Sequence, residues 1–310
     1  MRKETLLEVL DCIGSERRLF WYFPGRFALL LLAESVARGR SLHALRAGPE
    51  ARLLQQAVVR DALGQQGNGA LQADALANYW TDQALPFALT IGSWGSTHYS
   101  SWRQTSRSGY NLVLRLDFTG AHMASLRRRF GDYGWLFNSD LHPVSQSSNR
   151  RRETLAWARL DFDFDTNEVL IEEVQSDWVR DAARAARYGW YSDGGWIKPE
   201  TAAAYLREEL QPLLKLWPEA MLAACLWFIR NELGIGRVFY HEHRTGSALK
   251  QIRHAHPPRS LYSKLPQRFC MELVDEPPLF LANDKRTKRV LKKVRPHHFY
   301  TRDLTVGSVS

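Results

Sequence analysis

A chain of 310 residues with 45% hydrophobic content can bury a sizeable core, as one large domain or two smaller ones. Its three cysteines show no CxxC spacing, which argues against a disulfide framework and a zinc site and for a reducing, cytoplasmic setting. The formal charge of +9 leaves a polyanionic partner open, whereas the longest aliphatic run, FALLLLA, falls short of the roughly 20 residues that cross a bilayer, so no membrane partner is expected.

The opening MRKETLLEVLDC is interrupted by Glu4 and Glu8 before an apolar core forms, so no leader peptide is expected. Residues 1 to about 88 read as a small helical N-terminal domain. Pro24 precedes a helix through FALLLLAESVAR to Gly39, and Pro49 and Gly64 bracket a second in PEARLLQQAVVRDALG. From Pro86 the composition changes, and TIGSWGSTHYSSWRQTSRSG has the Gly, Ser and Thr content of a loop. NLVLRLDF then alternates as a strand, with Leu112, Leu114, Leu116 and Phe118 on one face. A short helix ends at Gly131, a polar surface loop spans Ser139 to Arg152, and TLAWARLDFDF and VLIEEVQ form the arms of a hairpin around DTNE.

Downstream the pattern predicts helices over SDWVRDAARAARYGWY, KPETAAAYLREELQ and PEAMLAACLWFIRNELG. Strands follow at RVFYHEH and RFCMELV, with a short helix TGSALKQI between them. This alternation predicts an α/β or α+β fold over about residues 89–280, with a central mixed sheet flanked by helices. Residues 281–310 form a basic C-terminal tail: KRTKRVLKKVR, Lys285 to Arg295, holds seven Lys and Arg and no acid. That run can neutralise nucleic-acid phosphates, although a solvated, partly disordered tail has the same composition.

The chemistry concentrates in EVLIEEVQSDW, Glu168 to Trp178. Strict alternation places Leu170, Glu172 and Val174 on one face, and Val169, Ile171, Glu173 and Gln175 on the other. Both faces begin apolar, so the strand is central and each glutamate sits at a core boundary. There, desolvation raises a carboxyl pKa towards that of a general base unless an ion pair, with Arg115 or Arg159 for example, holds it ionised. Ser176 or Asp177 can cap the helix that follows. Val179, Ala182, Ala183 and Ala186 form its packing face, and Arg180, Arg184 and Arg187 a basic row suited to phosphate.

At the second polar strand end, HEHRTGS, His241 and His243 share a strand face and Thr245 or Ser247 can cap a second anion-binding helix. No third ligand at metal spacing accompanies them, so no metal site is expected. No GxSxG, P-loop, GxGxxG or HExxH motif occurs.

The span RRETLAWARLDFDFDTNEVLIEEVQSDW followed by RDAARAARYGWY resembles a module of large polyvalent phage proteins. In that module a strand ending I-E-E-I-Q-S-D-W leads into a basic helix. PLLKLWPEAMLAACLWFIRNELGIGRVFYHEHRTGSALKQI is similar to its second half and LYSKLPQRF to its closing segment, so the likeness covers about Thr154 to Phe269. The order of elements is also similar to the acyl-CoA-dependent N-acetyltransferase (GNAT-like) fold, although the glycine-rich pyrophosphate loop is missing. The similarity to the acetyltransferase fold implies a transferase that binds a small phosphate-containing ligand, acetyl-CoA on that reading, whereas NAD would be the ligand of an ADP-ribosyltransferase.

On this reading Glu172, Glu173, Gln175 and His241 are the candidate catalytic residues. Asp177, Arg180, Arg184, Arg187, His243, Thr245 and Tyr262 are the candidate cofactor-binding residues. A mono-ADP-ribosyltransferase, using Arg115, STHYSS and the Glu172/Glu173/Gln175 group, and a non-enzymatic phage interaction protein are the alternatives.

Overall fold

Alternating apolar side chains build the centre of the molecule. The computed structural model describes residues 1–14, 18–65, 71–96, 98, 104–131, 136–138, 142, 153–192, 195–252 and 257–305. The described strands are β1 (Arg18–Tyr22), β2 (Leu85–Ser96), β3 (Gly109–Phe118), β4 (Thr154–Asp163), β5 (Glu168–Gln175), β6 (Trp190–Ser192), β7 (Gly195–Ile197), β8 (Arg237–His241), β9 (Glu272–Val274) and β10 (Phe299–Asp303). The helices are α1 (Lys3–Ile13), α2 (Arg26–Ala37), α3 (Leu42–Ala47), α4 (Ala57–Gln65), α5 (Ala73–Ala77), α6 (Gly120–Phe130), α7 (Asp177–Tyr188), α8 (Pro199–Tyr205), α9 (Gln211–Asn231), α10 (His243–Leu249), α11 (Lys264–Arg268), α12 (Leu279–Ala282) and α13 (Lys285–Lys293).

Eight strands form one mixed sheet in the order β1-β2-β3-β4-β5-β8-β10-β9, and β6 and β7 form a separate hairpin. The pairings in the large sheet are antiparallel except β5 with β8, which run parallel over Glu168–Ile171 and Arg237–Tyr240. The fold is therefore mixed α/β, with helices flanking a large sheet.

One face of the sheet carries Leu112, Leu114, Leu160, Val169, Ile171 and Val238, buried in a single apolar cluster with α9 residues such as Ala220, Leu222 and Ile229. From Pro199 to Asn231 the helical chain is continuous and apolar enough to cross a bilayer by length and composition. However, 72% of its most apolar window is buried inside the fold, as in a core helix. A π segment at Leu206–Leu210 precedes Pro212, whose ring clashes with the carbonyl four residues back and widens the turn there.

Several segments differ from the sequence pattern. Residues 1–88, read as helical, also supply the edge strand β1, and Leu6, Phe27 and Leu32 join the same apolar cluster as the sheet. TIGSWGS, read as loop, is the second half of β2, because Thr90 to Ser96 pair with Gly109 to Arg115 of β3 despite their turn-like composition. In the rest of that reading, His98 and Gln104 to Ser108 lie outside helices and strands as expected, while residues 97 and 99–103 lie outside the described residues, as does most of Ser139 to Arg152. The basic segment after 281 forms α13 and β10, and β10 sits inside the sheet between β8 and β9. RFCMELV contributes only the three-residue edge strand β9.

Candidate functional site

The second face of the sheet is not uniformly apolar. Trp157 and Val113, with Trp94 against them, form one small patch, and Leu170, Phe239, Phe280 and Phe299 belong to another. Between the patches lies a buried polar band of Arg159, Asp161, Glu172, Glu173 and His241.

A β-bulge creates this band. Arg159 pairs with Glu173 but Leu160 pairs with Ile171, so Glu172 is an extra residue in β5. The bulge turns both glutamates towards the polar side, as such insertions re-aim side chains. It also separates Leu170, in the second-face cluster, from Val174, which joins Ile171 in the main core. Strict alternation had put Leu170, Glu172 and Val174 together, and the bulge corrects that.

Glu172 has no solvent exposure. It accepts from the Ser106 backbone N–H at 2.9 Å and the Ser106 hydroxyl at 2.8 Å, and His241 Nε2 lies 3.1 Å from its Oε2. Burial alone would raise this carboxyl. The His241 hydrogen bond and the nearby charges of Arg159 and Lys250 outweigh burial and hold it down to about 2. Burial dominates at His241 and lowers its pKa, so at neutral pH the ring is uncharged with its proton on Nε2. Its Nδ1 is buried without a hydrogen-bond partner.

Glu173 is paired with Arg159 by a short ion pair, and Lys250 Nζ stands 3.8 Å away. Burial pushes against its ionisation, but Lys250 and Arg159 keep its carboxyl below the usual range. The pairing with Arg159 fits the ion-pair alternative. Arg115, the other candidate partner, instead donates to Thr90 Oγ1 at 2.9 Å and the Ile91 carbonyl at 2.5 Å.

Lys250 Nζ also donates to the Glu172 carbonyl at 3.1 Å. That carbonyl lies beyond the last β5–β8 pairing at Ile171 and Tyr240. The Tyr262 ring stacks on Tyr240 at 5.4 Å and lies 5.5 Å from Lys250 Nζ. Buried side chains therefore surround the end of the parallel pair.

A different geometry is found where β5 passes into α7. Ser176 caps the helix by accepting from the Val179 N–H at 3.1 Å. The Asp177 carboxylate accepts from Trp157 Nε1 at 3.0 Å, Gln175 Nε2 at 2.6 Å and Arg180 at 2.7 Å. His142 Nδ1 lies 2.8 Å from both Asp177 oxygens. The Asp177 side chain is 1% exposed and that of His142 is 32% exposed. Burial pushes the Asp177 carboxyl up, but the His142, Trp157 and Arg180 contacts prevail and lower it. A fixed carboxylate thus orients a solvent-reachable imidazole, which directs the proton to Nδ1 and leaves Nε2 as the basic nitrogen. The His142 ring also lies 5.6 Å from that of Trp157.

The remaining candidate residues do not converge on this point. Arg180 is engaged by Asp177 and Asp181. Arg184 and Arg187 are exposed further along α7, and Arg187 lies 5.8 Å from the Tyr188 ring. The packing face of α7 is Trp178, Ala182 and Ala185, with Val179 and Ala186 partly buried against the same core, and of the expected row only Ala183 is exposed. β8 ends at His241, so His243 belongs to the first turn of α10 rather than to a shared strand face. Glu242 caps α10, accepting from the Arg244 and Thr245 N–H groups, and its carboxylate takes the place expected for an anion. Thr245 is buried and accepts from the His298 N–H at 3.0 Å. Among the described residues no group of three or more His, Cys, Asp and Glu could hold a metal.

Sequence reasoning missed His142, Ser106 and Lys250. His142 and Ser106 lie in polar segments far from the motif, and Lys250 closes a short helix. Only the excess of carboxylate in EEVQSD signals that cations and donors must come from elsewhere. Comparison with known proteins returned no match: no family model, no curated protein and no solved structure aligns with the chain.

Proposed function

We propose that the chain is a group-transfer enzyme in which His142, oriented by Asp177, takes the proton from the incoming nucleophile. One observation carries this reading: a buried carboxylate with three other donors around it holds a partly exposed imidazole at 2.8 Å, beside the carboxyl end of a strand in the sheet's parallel pair. Ligand sites in open α/β sheets collect at such ends. A base held in one tautomer is ready to accept a proton without reorganising. The similarity of the element order to N-acetyltransferases supports the transferase class, and the resemblance of EVLIEEVQSDW to the phage module supports this stretch as the site without naming a reaction.

The residues at the α7 N-terminus do not suit a pyrophosphate. Ser176 already occupies the Val179 N–H, Asp177 places a carboxylate in the first turn, and the Arg180 charge is taken by Asp177 and Asp181. Lys250 also occupies the Glu172 carbonyl at the end of the β5–β8 pairing. We therefore assign neither acetyl-CoA nor NAD as the donor.

A second reading, a non-enzymatic interaction protein of phage or mobile-element origin, is favoured by the burial of Glu172, Glu173 and His241, each at most 4% exposed. Two measurements separate the readings. In ¹⁵N-resolved NMR of the histidine rings, His142 should show the Nδ1–H tautomer when neutral, and Asp177→Asn should abolish that preference. In a donor screen with acetyl-CoA, NAD and nucleotides, any turnover should fall by about 10²–10⁴ in His142→Ala. Turnover that survives His142→Ala would remove the proposed base, and no turnover with any donor would favour the interaction protein.

A further inference from the structure

The segment richest in positive charge plays no part in the His142 site, and it folds as helix α13. Helix α13 is capped by Asp284, whose side chain accepts from the Thr287 N–H at 2.7 Å. Its inner side is fixed. Leu291 is buried and Val290 packs beside it in the cluster of Leu281 and Phe299. Thr287 Oγ1 donates to the Ser106 carbonyl at 3.1 Å, and Arg286 donates to the Ser106 carbonyl at 2.8 Å and the Leu249 carbonyl at 3.0 Å.

The outer side carries Lys285, Lys288, Arg289, Lys292 and Lys293, with Arg295 just beyond, all exposed. Among the described residues these six form no salt bridge. At 1.5 Å of rise per residue, Lys285, Lys288, Arg289 and Lys292 recur about every 5 Å along one side of the helix.

We propose that the outer face of α13 binds the phosphate backbone of nucleic acid without reading its sequence. Charge complementarity selects the partner. Five cations on a packed helix and a sixth just past its end, none in a salt bridge, match a duplex that carries one negative charge per about 1.7 Å of its axis. Four of the six are Lys, which meets phosphate as a point charge, and the face presents no Asn, Gln or aromatic side chain beside them. An anionic lipid surface fits less well. A helix lying on a membrane buries an apolar side in it, whereas the apolar residues Val290 and Leu291 of α13 are turned into the protein core.

The experiment is fluorescence-anisotropy titration of the full chain with labelled duplex and single-stranded oligonucleotides of about 20 units, at several salt concentrations between about 50 and 200 mM. Vesicles of phosphatidylserine and phosphatidylcholine serve as the competing polyanion. Both oligonucleotides should bind, with a log Kd that rises linearly with log salt. The variant K288Q/R289Q/K292Q should bind at least tenfold more weakly and lose about 2–3 from the duplex slope, at about 0.9 per phosphate contact. K288R/K292R should bind as wild type does. Should the triple variant fold poorly by circular dichroism, K292Q/K293Q should lose about 2 from the slope instead. Unchanged Kd and slope in the neutralised variants would overturn the proposal, and so would vesicles that bind at salt concentrations where the oligonucleotides are released.

Discussion

Glu172 and His241 lie on adjacent parallel strands with His241 Nε2 3.1 Å from Glu172 Oε2, and neither side chain has any solvent exposure. An ionised carboxylate and a neutral imidazole are held together there by burial and by Ser106. This makes the pair a determinant of stability against acid.

The same sense of shift recurs at His122, where burial lowers the pKa to about 4. Its ring stacks on Phe118 at 3.9 Å and its Nε2 lies 3.0 Å from the Tyr205 hydroxyl. All three groups have depressed folded-state values, so the unfolded chain binds more protons and stability falls as pH falls. For His122 and His241 the loss begins below the unfolded value of about 6.5, and for Glu172 below about 4.3. Tm should therefore decline steadily between about pH 6.5 and 4, and more steeply below. His122→Gln should flatten the first part of that decline. A Tm independent of pH over that range would contradict neutral buried imidazoles.

The Arg159–Glu173 pair gives a second prediction. With the two side chains 2% and 5% exposed, removing one partner leaves a buried charge uncompensated, which costs about 3–5 kcal/mol. Glu173→Gln should lower unfolding free energy by that amount in urea titration. The double variant R159M/E173L should recover much of it, because apolar replacement of a buried pair is often neutral. A Glu173→Gln variant as stable as wild type would show that the carboxylate is not a structural partner.

Much of the fold could be read from the sequence. The hairpin of β4 and β5, the apolar helix α9 and the strand β8 all follow from periodicity alone. β2 was hidden because Gly92, Ser93, Gly95 and Ser96 have turn chemistry, and only the ladder to β3 makes them a strand. β10 was hidden because its partners β8 and β9 are distant in sequence. The motif EEVQSDW located the polar band, but alternation could not foresee the bulge that re-aims Glu172. His142 reaches Asp177 from 35 residues away, a distance that no local pattern encodes.

Glu219 tests whether the first 88 residues are integral to the core. From within α9 its Oε1 accepts from the Tyr22 hydroxyl at 2.8 Å and the Gly25 N–H at 2.7 Å, and its Oε2 accepts from Arg268 at 2.5 Å. Burial, followed by the Glu219 charge, raises the Tyr22 hydroxyl well above its usual pKa, so it remains a donor. Glu219→Ala leaves buried donors without partners at about 1–3 kcal/mol. The whole unfolding transition should shift, as followed by both tryptophan fluorescence and circular dichroism. Separate transitions by the two probes would indicate that the N-terminal segment unfolds on its own.

The C-terminal segment provides the last test. Deleting residues 285–310 removes not only the basic helix but also β10, which pairs with β8 from Phe299↔His241 to Asp303↔Arg237 and with β9 on its other side. The deletion would expose the edge of β8 and uncover Phe239 and Leu170, which share a cluster with Phe299. An uncovered apolar edge strand is a template for aggregation. The truncated chain should therefore be insoluble or lose its cooperative transition, while the variant K288Q/R289Q/K292Q, altered only at exposed positions, should keep a Tm within a few degrees of wild type. A soluble, cooperatively folded truncation would mean that β10 is dispensable to the sheet, and the polar band beside it would then have to be stable without that flank.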